Sequence, residues 1–365
     1  MREHHIDRLR NLGILFLFPY HTARVFNEGA SFYVKGEVNA FSSVLVHLSY
    51  WFMPLLFLLA GMSSLHALRR RTVRQYVGER FSRLLVPLVF GFLVVVPPQA
   101  YYAMRFHSGH QGGYPEFLWS YFTDFSDWSE YGGGISPAHL WFILFLFLIA
   151  TALALPMRRM AESGSTPAWP RHPVGILLPA VAVAVLSLLP DAGGKNIFVF
   201  AAYFLLGFVI AADGEVGDMV RRHRRVYLAA AAVGAAAVLA GVYVFDAPES
   251  AALAQVRNLA CLPALLALLG YGRRYLNSPT AFTSYFSPAA YPVYILHQTY
   301  LVATAYYVVA VVDHGPVAFA VIAAVPFALS LATYELVRRT PLTRVLFGLA
   351  GARPARRDAG SPTGA

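Results

Sequence analysis

The stretch RLRNLGILFLFPYHTARVF, residues 8–26, is long and apolar enough to cross a bilayer as a helix, yet it contains a histidine. An ionisable side chain within a membrane span is costly and usually faces the interior of the helix bundle. His21 is therefore predicted to have a functional role, the alternative being a hydrogen-bonded structural histidine. Pro19, two residues earlier, predicts a kink or a free backbone carbonyl nearby.

Arg10 and His21 are predicted to project from one face of this first helix. They are eleven positions apart, which at about 100° per residue amounts to three turns plus about 20°. The same spacing separates them by about 16 Å along the helix axis. Arg10 would then stand at one mouth of the bundle and His21 deep inside it.

The whole chain has the composition of a polytopic helical membrane protein. Of its 365 residues, 57% are hydrophobic and only 13% are charged, whereas charged residues make up about a quarter of a soluble domain. An all-α transmembrane helix bundle of about ten spans is predicted. The spans lie near residues 10–27, 39–66, 84–103, 139–157, 173–190, 195–212, 226–245, 251–271, 289–311 and 316–337.

The distribution of cations predicts the orientation of these spans. Lysine and arginine are enriched in cytoplasmic loops, and placing both termini in the cytoplasm puts all but five of the 29 Lys and Arg residues on that side. The five exceptions are Arg24, Lys35, Arg105, Lys195 and Arg257. The first span lacks a small-residue cleavage site, so it is predicted to stay in the membrane. The predicted location is the inner (plasma) membrane of a bacterium.

Composition also argues against other classes of protein. The formal net charge of +10 is divided into short clusters between apolar runs, which indicates membrane orientation and no nucleic-acid partner. No spacing of His, Cys and Asp predicts a metal site, and Cys261 is predicted to be an inert buried residue. Residues 1–348 are predicted to form one membrane domain, and residues 349–365 a disordered cytoplasmic tail.

The longest predicted extracytoplasmic loop, residues 104–138, is rich in aromatic and acidic side chains. Long loops in compact proteins are often functional. Tyr and Trp rings stack on sugar faces and carboxylates accept hydrogen bonds from hydroxyls, so the loop suits a carbohydrate. An interfacial aromatic cap on the bundle is an equally good interpretation.

Two arginines in RFSRLLVP, Arg80 and Arg83, are predicted to share one helix face at the cytoplasmic mouth of the third span. On spacing alone, the favoured interpretation is that both arginines are ordinary positively charged residues flanking a membrane span on the cytoplasmic side. A pair of guanidinium groups can also hold phosphates through bidentate hydrogen bonds. Binding of a nucleotide-bearing substrate from the cytoplasm is therefore the functional alternative.

Further polar candidates stand in the fourth and ninth spans. His139 and Trp141, in SPAHLWFI, lie at the outer end of the fourth span. The motif YPVYILHQ places Tyr291, Tyr294 and His297 or Gln298 on one helical stripe, which is predicted to form a polar face.

At these residues the chain resembles the integral membrane acyltransferase 3 family, and most closely its glucan biosynthesis protein C (glucan succinyltransferase) branch. The resemblance covers residues 5 to about 348 and is carried, in order, by HIDRLRNLGILFLFPYH, FMPLLFLLAGM, RFSRLLVP, HLWFI, YPVYILHQ and YELVRRTPLTRVLFG. The family's basic residue followed by a histidine eleven positions later falls on Arg10 and His21, and its R-x-x-R pair on Arg80 and Arg83. One departure is LAG at Leu59–Gly61, where the family more often has Ser-Gly, which is predicted to alter helix packing.

The resemblance implies transfer of an acyl group from cytoplasmic acyl-CoA to a hydroxyl of an extracytoplasmic or lipid-linked carbohydrate. It implies no tightly bound cofactor, since acyl-CoA is the donor substrate. His21 would be the general base, with an acyl-histidine intermediate as the alternative, and Arg10 would assist at the catalytic site. An oxyanion donor is required, and Tyr294, His297 and His139 are all left open for that role.

The substrate-binding residues expected on this hypothesis are Arg80, Arg83, His139, Trp141, Tyr294 and His297. The partners are acyl-CoA, a carbohydrate or glycolipid acceptor and the lipid bilayer. The main rival is a transporter or flippase of an amphipathic substrate, with His21 as a proton relay. A membrane scaffold with structural histidines is a third possibility.

Overall fold

The computed structural model describes residues 3–29, 31–164 and 166–349. Helices dominate these residues and no β-strand occurs among them, which confirms the predicted all-α class. The helices are α1 (His4–Phe26), α2 (Ala40–His47), α3 (Phe52–Leu68), α4 (Val73–Ser108), α5 (Tyr114–Thr123), α6 (Trp141–Ala152), α7 (Ala154–Ser163), α8 (Leu178–Leu186), α9 (Ile197–Ala212), α10 (Gly214–Arg222), α11 (Arg224–Tyr243), α12 (Ala251–Tyr275), α13 (Ala281–Val311), α14 (Gly315–Val337) and α15 (Pro341–Leu346). The predicted tail lies outside the described residues from residue 350 onward.

Five segments of the described chain are long and apolar enough to cross a membrane. They are Ala40–Leu68, which joins α2 and α3, together with α4, α11, α12 and α14. Two bent pairs, α6 with α7 at 53° and α9 with α10 at 101°, raise the number to seven if each pair is one span. Helices α1 and α13 are not among the five, because polar side chains interrupt their apolar runs.

Polar side chains mark where several of these helices begin. Each accepts a hydrogen bond from a backbone N–H of the first turn, which otherwise has no partner within the helix. These caps are Asn39, Thr72, Asn196, Ser250 and Thr280. These capping residues stand between apolar runs in the sequence, so the sequence itself marks where the helices begin.

Some predicted spans differ in shape from a straight helix. The span predicted near 39–66 breaks between α2 and α3, and the span near 173–190 contains only the short α8 after a 3₁₀ turn. The span near 84–103 is the later part of α4, which begins at Val73 and contains π-helical turns at Phe81–Leu85 and Gly91–Val95. Such turns are rare and usually single.

Helices α3 and α9 pack backbone against backbone at two glycines. A Cβ added to Gly61 would lie 1.8 Å from the carbonyl oxygen of Phe204, and one added to Gly207 would lie 1.9 Å from that of Leu58. Small residues at helix interfaces permit such close approach in membrane proteins. The LAG segment therefore retains the glycine that this contact needs.

Replacing Gly61 by alanine is expected to lower the free energy of unfolding by about 1–3 kcal/mol, the usual cost of overpacking. The carbonyl of Phe204 belongs to helix backbone, so it can move away only if the whole helix shifts. The melting temperature of the detergent-purified protein measures the effect. Gly78→Ala is the matched control, since no atom lies within 4 Å of its added Cβ and alanine favours a helix. Equal melting temperatures for the two variants would contradict the packing argument.

The bundle has two ends, which we define by α1. The Arg10 end holds the first turns of α1, and the Arg24 end holds its last turn. At the Arg10 end, Glu3 lies 3.6 Å from His66 and 3.8 Å from Arg273. The C-terminal turns of α3 and α12 are thereby fixed beside the start of α1.

Candidate active site

Three histidines from separate parts of the sequence meet inside the bundle. His21 comes from α1, His139 from the 3₁₀ turn before α6, and His297 from α13. The ring centroids of His21 and His297 are 5.2 Å apart, and those of His139 and His297 are 5.0 Å apart. His139 and His297 are fully buried, whereas His21 is half-buried. His297 thus occupies the centre of the cluster.

Backbone carbonyls determine which nitrogens carry hydrogen in two of these rings. Nε2 of His139 lies 2.8 Å from the carbonyl oxygen of Ile295, and Nδ1 of His297 lies 2.6 Å from that of Tyr294. A carbonyl only accepts, so each of these nitrogens is the donor. The opposite nitrogens, His139 Nδ1 and His297 Nε2, are buried and have no hydrogen-bond partner among the described residues. In the neutral rings they carry lone pairs.

A sharp turn positions His139. The preceding residue, Ala138, has a φ of 48°, in the left-handed region that residues with a Cβ seldom adopt. The backbone N–H of Ala138 donates to the hydroxyl of Ser136 at 2.8 Å, which supports the turn. Such backbone conformations cost about 1–3 kcal/mol and persist where the surrounding structure requires them. The hydroxyl of Tyr294 donates to the carbonyl of His139, so α13 holds the turn from the other side.

Aromatic rings surround His21. The ring of Phe32 stacks on it with centroids 6.0 Å apart and an interplanar angle of 17°. Tyr20 meets it edge-on at 4.9 Å. Nδ1 of His21 is buried and has no hydrogen-bond partner in the described part of the chain. The side chain is thus held by ring contacts on one side and by His297 on the other.

The histidines form the inner wall of a cavity of about 540 Å³. This volume lies within the ~300–1,000 Å³ range of small-molecule sites. Toward the Arg24 end, its wall is formed by charged side chains from α1, α12 and two connecting segments. These are Arg24, Glu130, Asp191, Lys195 and Arg257.

At the rim of this cavity, the carboxylate of Glu130 contacts side chains from two other connecting segments. Its Oε1 accepts a hydrogen bond from the hydroxyl of Tyr33 at 3.0 Å, and its Oε2 lies 3.3 Å from Nζ of Lys195. Burial, together with the nearby Glu130 carboxylate, holds the pKa of Tyr33 well above its usual value. Tyr33 is therefore a neutral donor at physiological pH.

Lys35 stabilises the end of α1 that carries the rim. Its ammonium group donates to the backbone carbonyls of Arg24 at 3.2 Å and Asn27 at 2.6 Å. A cation at the C-terminus of a helix also interacts favourably with the helix dipole. Burial and the neighbouring Arg24 lower the pKa of Lys35 from its usual value.

The predicted arginines lie apart from the histidines, at the Arg10 end. Arg10 donates to Asp7 at 3.2 Å and to the hydroxyl of Ser63 on α3 at 2.8 Å. The guanidinium carbon of Arg80 lies 4.6 Å from the ring centroid of Tyr76, a cation–π contact.

Arg83 makes a different contact from Arg80, although the sequence predicts that they share a face. Nε of Arg83 lies 3.3 Å from Glu79, whose carboxylate also lies 2.7 Å from Arg71. The intervening backbone is the π-helical turn Phe81–Leu85, so α-helical spacing does not apply there.

Five of the predicted site residues line the cavity, and three do not. Those in its wall are His21, His139, Trp141, Tyr294 and His297. Arg10, Arg80 and Arg83 are not in its wall. The first group therefore lines the cavity inside the bundle, and the second lies at the Arg10 end.

Other residues in the cavity wall were not predicted as site residues from the sequence. Arg24, Lys195 and Arg257 are three of the five cations that depart from the positive-inside pattern. Gln298 follows His297 and is almost fully buried, and its Oε1 has no hydrogen-bond partner among the described residues. Glu130 is one of several acidic residues in its loop, and nothing in the sequence distinguishes it from the others.

The donor groups of the cluster are already used by the protein. The N–H groups of His139 and His297 and the hydroxyl of Tyr294 all donate to backbone carbonyls. The sequence left these three residues open as donors to the oxyanion. In this arrangement their N–H and O–H groups already donate elsewhere, so they do not fill that role. Among the described residues, no group of three or more His, Cys, Asp or Glu side chains is arranged to hold a metal ion.

Comparison with known proteins identifies the family. The model of the acyltransferase 3 family, described as an acyltransferase domain, matches residues 3–335. No curated protein and no solved structure matches the chain significantly. The family match spans the helices that carry all three histidines. The chain therefore belongs to the acyltransferase 3 family and is a membrane acyltransferase.

Proposed function

We propose that the protein is a multi-pass plasma-membrane O-acyltransferase. It moves an acyl group from cytoplasmic acyl-CoA to a hydroxyl of an extracytoplasmic or lipid-linked carbohydrate. The observation that carries the proposal is the cavity in which His21 faces His297, whose Nε2 lone pair is fixed by a backbone carbonyl. The resemblance to the glucan succinyltransferase branch makes a glucan one acceptor to test.

The proposed membrane arrangement has ten spans with both termini in the cytoplasm. To the five apolar segments and the two bent pairs it adds α1, α13 and the shorter apolar stretch Gly175–Leu186. The sequence clusters assigned to the cytoplasm supply the ion pairs at the Arg10 end, including that of Arg273. The Arg24 end then faces away from the cytoplasm.

The proposed chemistry is attack of an acceptor hydroxyl on the thioester of acyl-CoA. His21 takes the hydroxyl proton as the oxygen bonds to the thioester carbon. The carbon–sulfur bond then breaks, and the departing CoA sulfur receives the proton. The products are an ester and free CoA. His297, whose ring lies 5.2 Å from that of His21, orients His21 or accepts the proton from it.

Arg24 is our proposed donor to the oxyanion. It lies three residues after His21 on α1, one turn along the same face, and it lines the cavity. One of its N–H groups, on Nη2, donates to the carbonyl of Ser31 at 3.0 Å, and a guanidinium carries five N–H donors in all. A positive charge aimed at the developing negative oxygen stabilises the transition state more than the ground state.

The proposed role of the Arg10 end is to hold the phosphates of CoA. Arg10 and Arg80 both stand near the serine pair of α3: Arg10 donates to Ser63, and Arg80 covers Tyr76, whose hydroxyl donates to Ser64 at 2.9 Å. Guanidinium groups bind phosphate oxygens in pairs of parallel hydrogen bonds.

Charge reversal at Arg80 is expected to weaken binding of acyl-CoA by on the order of tenfold or more, the loss of about one charge-assisted hydrogen bond. Titration of the purified protein with acyl-CoA measures the dissociation constant. Arg74→Glu is the control, because Arg74 is an exposed arginine earlier on the same helix. An equal loss in both variants would mean that Arg80 contributes only to the general positive charge.

The proposed function is tested with purified protein and a panel of labelled acetyl-, succinyl- and longer acyl-CoA donors. Free CoA is expected to appear only when an acceptor glycan is present, together with label on the glycan. Substrate movement across proteoliposome membranes without any dependence on CoA would support the transporter alternative and overturn the proposal.

A further inference from the structure

Two more cavities adjoin the one that holds the histidines. The first, of about 630 Å³, is named here the tryptophan subsite and includes Trp128 and Phe145 in its wall. The second, of about 460 Å³, is named the acidic subsite and includes Glu28, Asp246 and Glu249. Each is by itself as large as a typical small-ligand site.

The central cavity shares walls with both subsites. Glu130, Tyr131, Trp141, Gly193 and Lys195 line both the central cavity and the tryptophan subsite.

On the other side, the shared wall comes from α1, α12 and the segment between α2 and α3. Tyr20, Arg24, Ser49, Tyr50 and Arg257 line both the central cavity and the acidic subsite. The two subsites have no wall residue in common. The three volumes therefore follow one another, with the histidines in the middle.

We propose that this row of cavities binds a carbohydrate chain of several sugar units, with an internal unit at the histidines and neighbouring units in the two subsites. This inference rests on the proposed function and specifies its acceptor. Together the three volumes exceed the ~300–1,000 Å³ that a single small ligand occupies. A lone monosaccharide would fill only the central one.

Aromatic faces distinguish the tryptophan subsite. Trp128 is 69% exposed, and its indole N–H donates to the carbonyl of Phe125 at 2.8 Å, which fixes the ring. Trp141 and Tyr131 form the wall shared with the central cavity. Rings held in this way offer flat apolar faces with little loss of side-chain entropy, which suits the C–H faces of sugars.

Hydrogen-bonding groups distinguish the acidic subsite. Nη2 of Arg257 lies 3.3 Å from Nδ1 of His47, and Nη1 of Arg257 donates to the carbonyl of Pro248 at 3.3 Å. The carboxylates of Glu28 and Glu249 add acceptors for sugar hydroxyls.

The balance of charge favours a neutral chain over a polyanionic one. The cations in the three walls are Arg24, Lys195 and Arg257. The carboxylates are more numerous and comprise Glu28, Glu130, Asp191, Asp246 and Glu249. An anionic polymer would meet net repulsion, whereas neutral hydroxyls find both donors and acceptors.

Buried polar atoms at the centre point to a ligand as well. His297 has no exposed surface and Gln298 is 1% exposed, and both line the central cavity. Nε2 of His297 and Oε1 of Gln298 have no hydrogen-bond partner in the described residues. A buried polar atom without a partner costs free energy, and a sugar hydroxyl can donate to either of these acceptors.

The test uses purified full-length protein, a labelled acyl-CoA and the surface glycan of the host, divided by size after partial hydrolysis. Monosaccharides, short oligosaccharides, longer fragments and detergent-extracted glycolipid are supplied as separate acceptors. The wild type is expected to show kcat/KM about tenfold or more higher for longer fragments than for monosaccharides, since the flanking units add buried contacts.

Variants at the two subsites test whether these subsites cause the preference for longer acceptors. Trp128→Ala and Glu249→Gln are expected to reduce the ratio of kcat/KM between long and short acceptors. Trp119→Ala and Glu37→Gln are the matched controls, because both side chains are exposed and neither lines a cavity described above. The controls should keep the wild-type ratio.

The outcomes separate the two proposals. Equal use of monosaccharides and longer fragments, or preference for glycolipid with a single sugar, would overturn the extended site and leave the acyltransferase reaction intact. An equal effect of Trp119→Ala and Trp128→Ala would also overturn it. Absence of transfer to every acceptor would overturn the proposed function and the extended site together.

Discussion

His21→Ala is expected to lower CoA release with acceptor present by about 10²–10⁴-fold, the usual contribution of a general base. The half-buried ring lies in the cavity wall, so its removal withdraws the base without exposing the core. Steady-state release of CoA from labelled acyl-CoA measures the loss. Membrane expression and melting temperature should remain close to those of the wild type.

Two additions make the His21 experiment specific. Imidazole in the buffer is expected to restore part of the activity, because the deleted ring leaves space beside an open cavity of about 540 Å³. His314→Ala is the matched control, since His314 is exposed at the start of α14 and makes no side-chain cap there. Wild-type turnover in His21→Ala would show that the histidine is structural.

His297 provides the second large effect, and a pair of variants separates its two nitrogens. His297→Asn keeps a donor close to the Nδ1 position for the carbonyl of Tyr294 but has no counterpart of Nε2. We expect kcat to fall by about 10²-fold or more, as for loss of a proton-transfer group. KM for the acceptor should change less than kcat.

His297→Leu removes both nitrogens and leaves the carbonyl of Tyr294 without this partner. We expect the same loss of kcat as in His297→Asn and, in addition, a loss of stability of about 0.5–1.5 kcal/mol, the net contribution of one hydrogen bond, because the carbonyl of Tyr294 lies within α13 and keeps its place in the helix. Thermal unfolding of the two variants in detergent separates these effects. Full activity in His297→Asn would restrict His297 to a structural role.

Sequence patterns predicted the fold class and the histidine cluster for identifiable reasons. Apolar runs with polar caps between them specify helices, because a backbone in lipid must satisfy its hydrogen bonds internally. A histidine in such a run is costly in lipid, so His21, His139 and His297 were each conspicuous without knowledge of their neighbours. The three histidines meet inside the bundle, as expected for side chains that are costly to expose to lipid.

The bend between α6 and α7 and both π-helical turns of α4 lie just before a proline, which lacks the backbone N–H that a helix needs, so the sequence carried a local signal for them. Other features depended on the tertiary structure and had no local signal. The choice of Glu130 from an acidic loop depends on where Tyr33 and Lys195 arrive. The sequence distinguished Arg24, Lys195 and Arg257 only as cations outside the positive-inside pattern. In the structure all three line the cavity.

The two π-helical turns of α4 affect how this helix should be compared among relatives. A π turn spans i to i+5, so it takes up one residue more than an α turn while the helix continues in nearly the same direction. A relative that lacks one residue within Phe81–Leu85 or Gly91–Val95 can therefore keep the flanking helix in place by forming an ordinary α turn there. Homologous positions on the two sides of each turn should accordingly be matched separately, with a single-residue gap permitted inside it. An ungapped alignment across α4 would assign the counterpart of Arg83 to the wrong residue in such a relative.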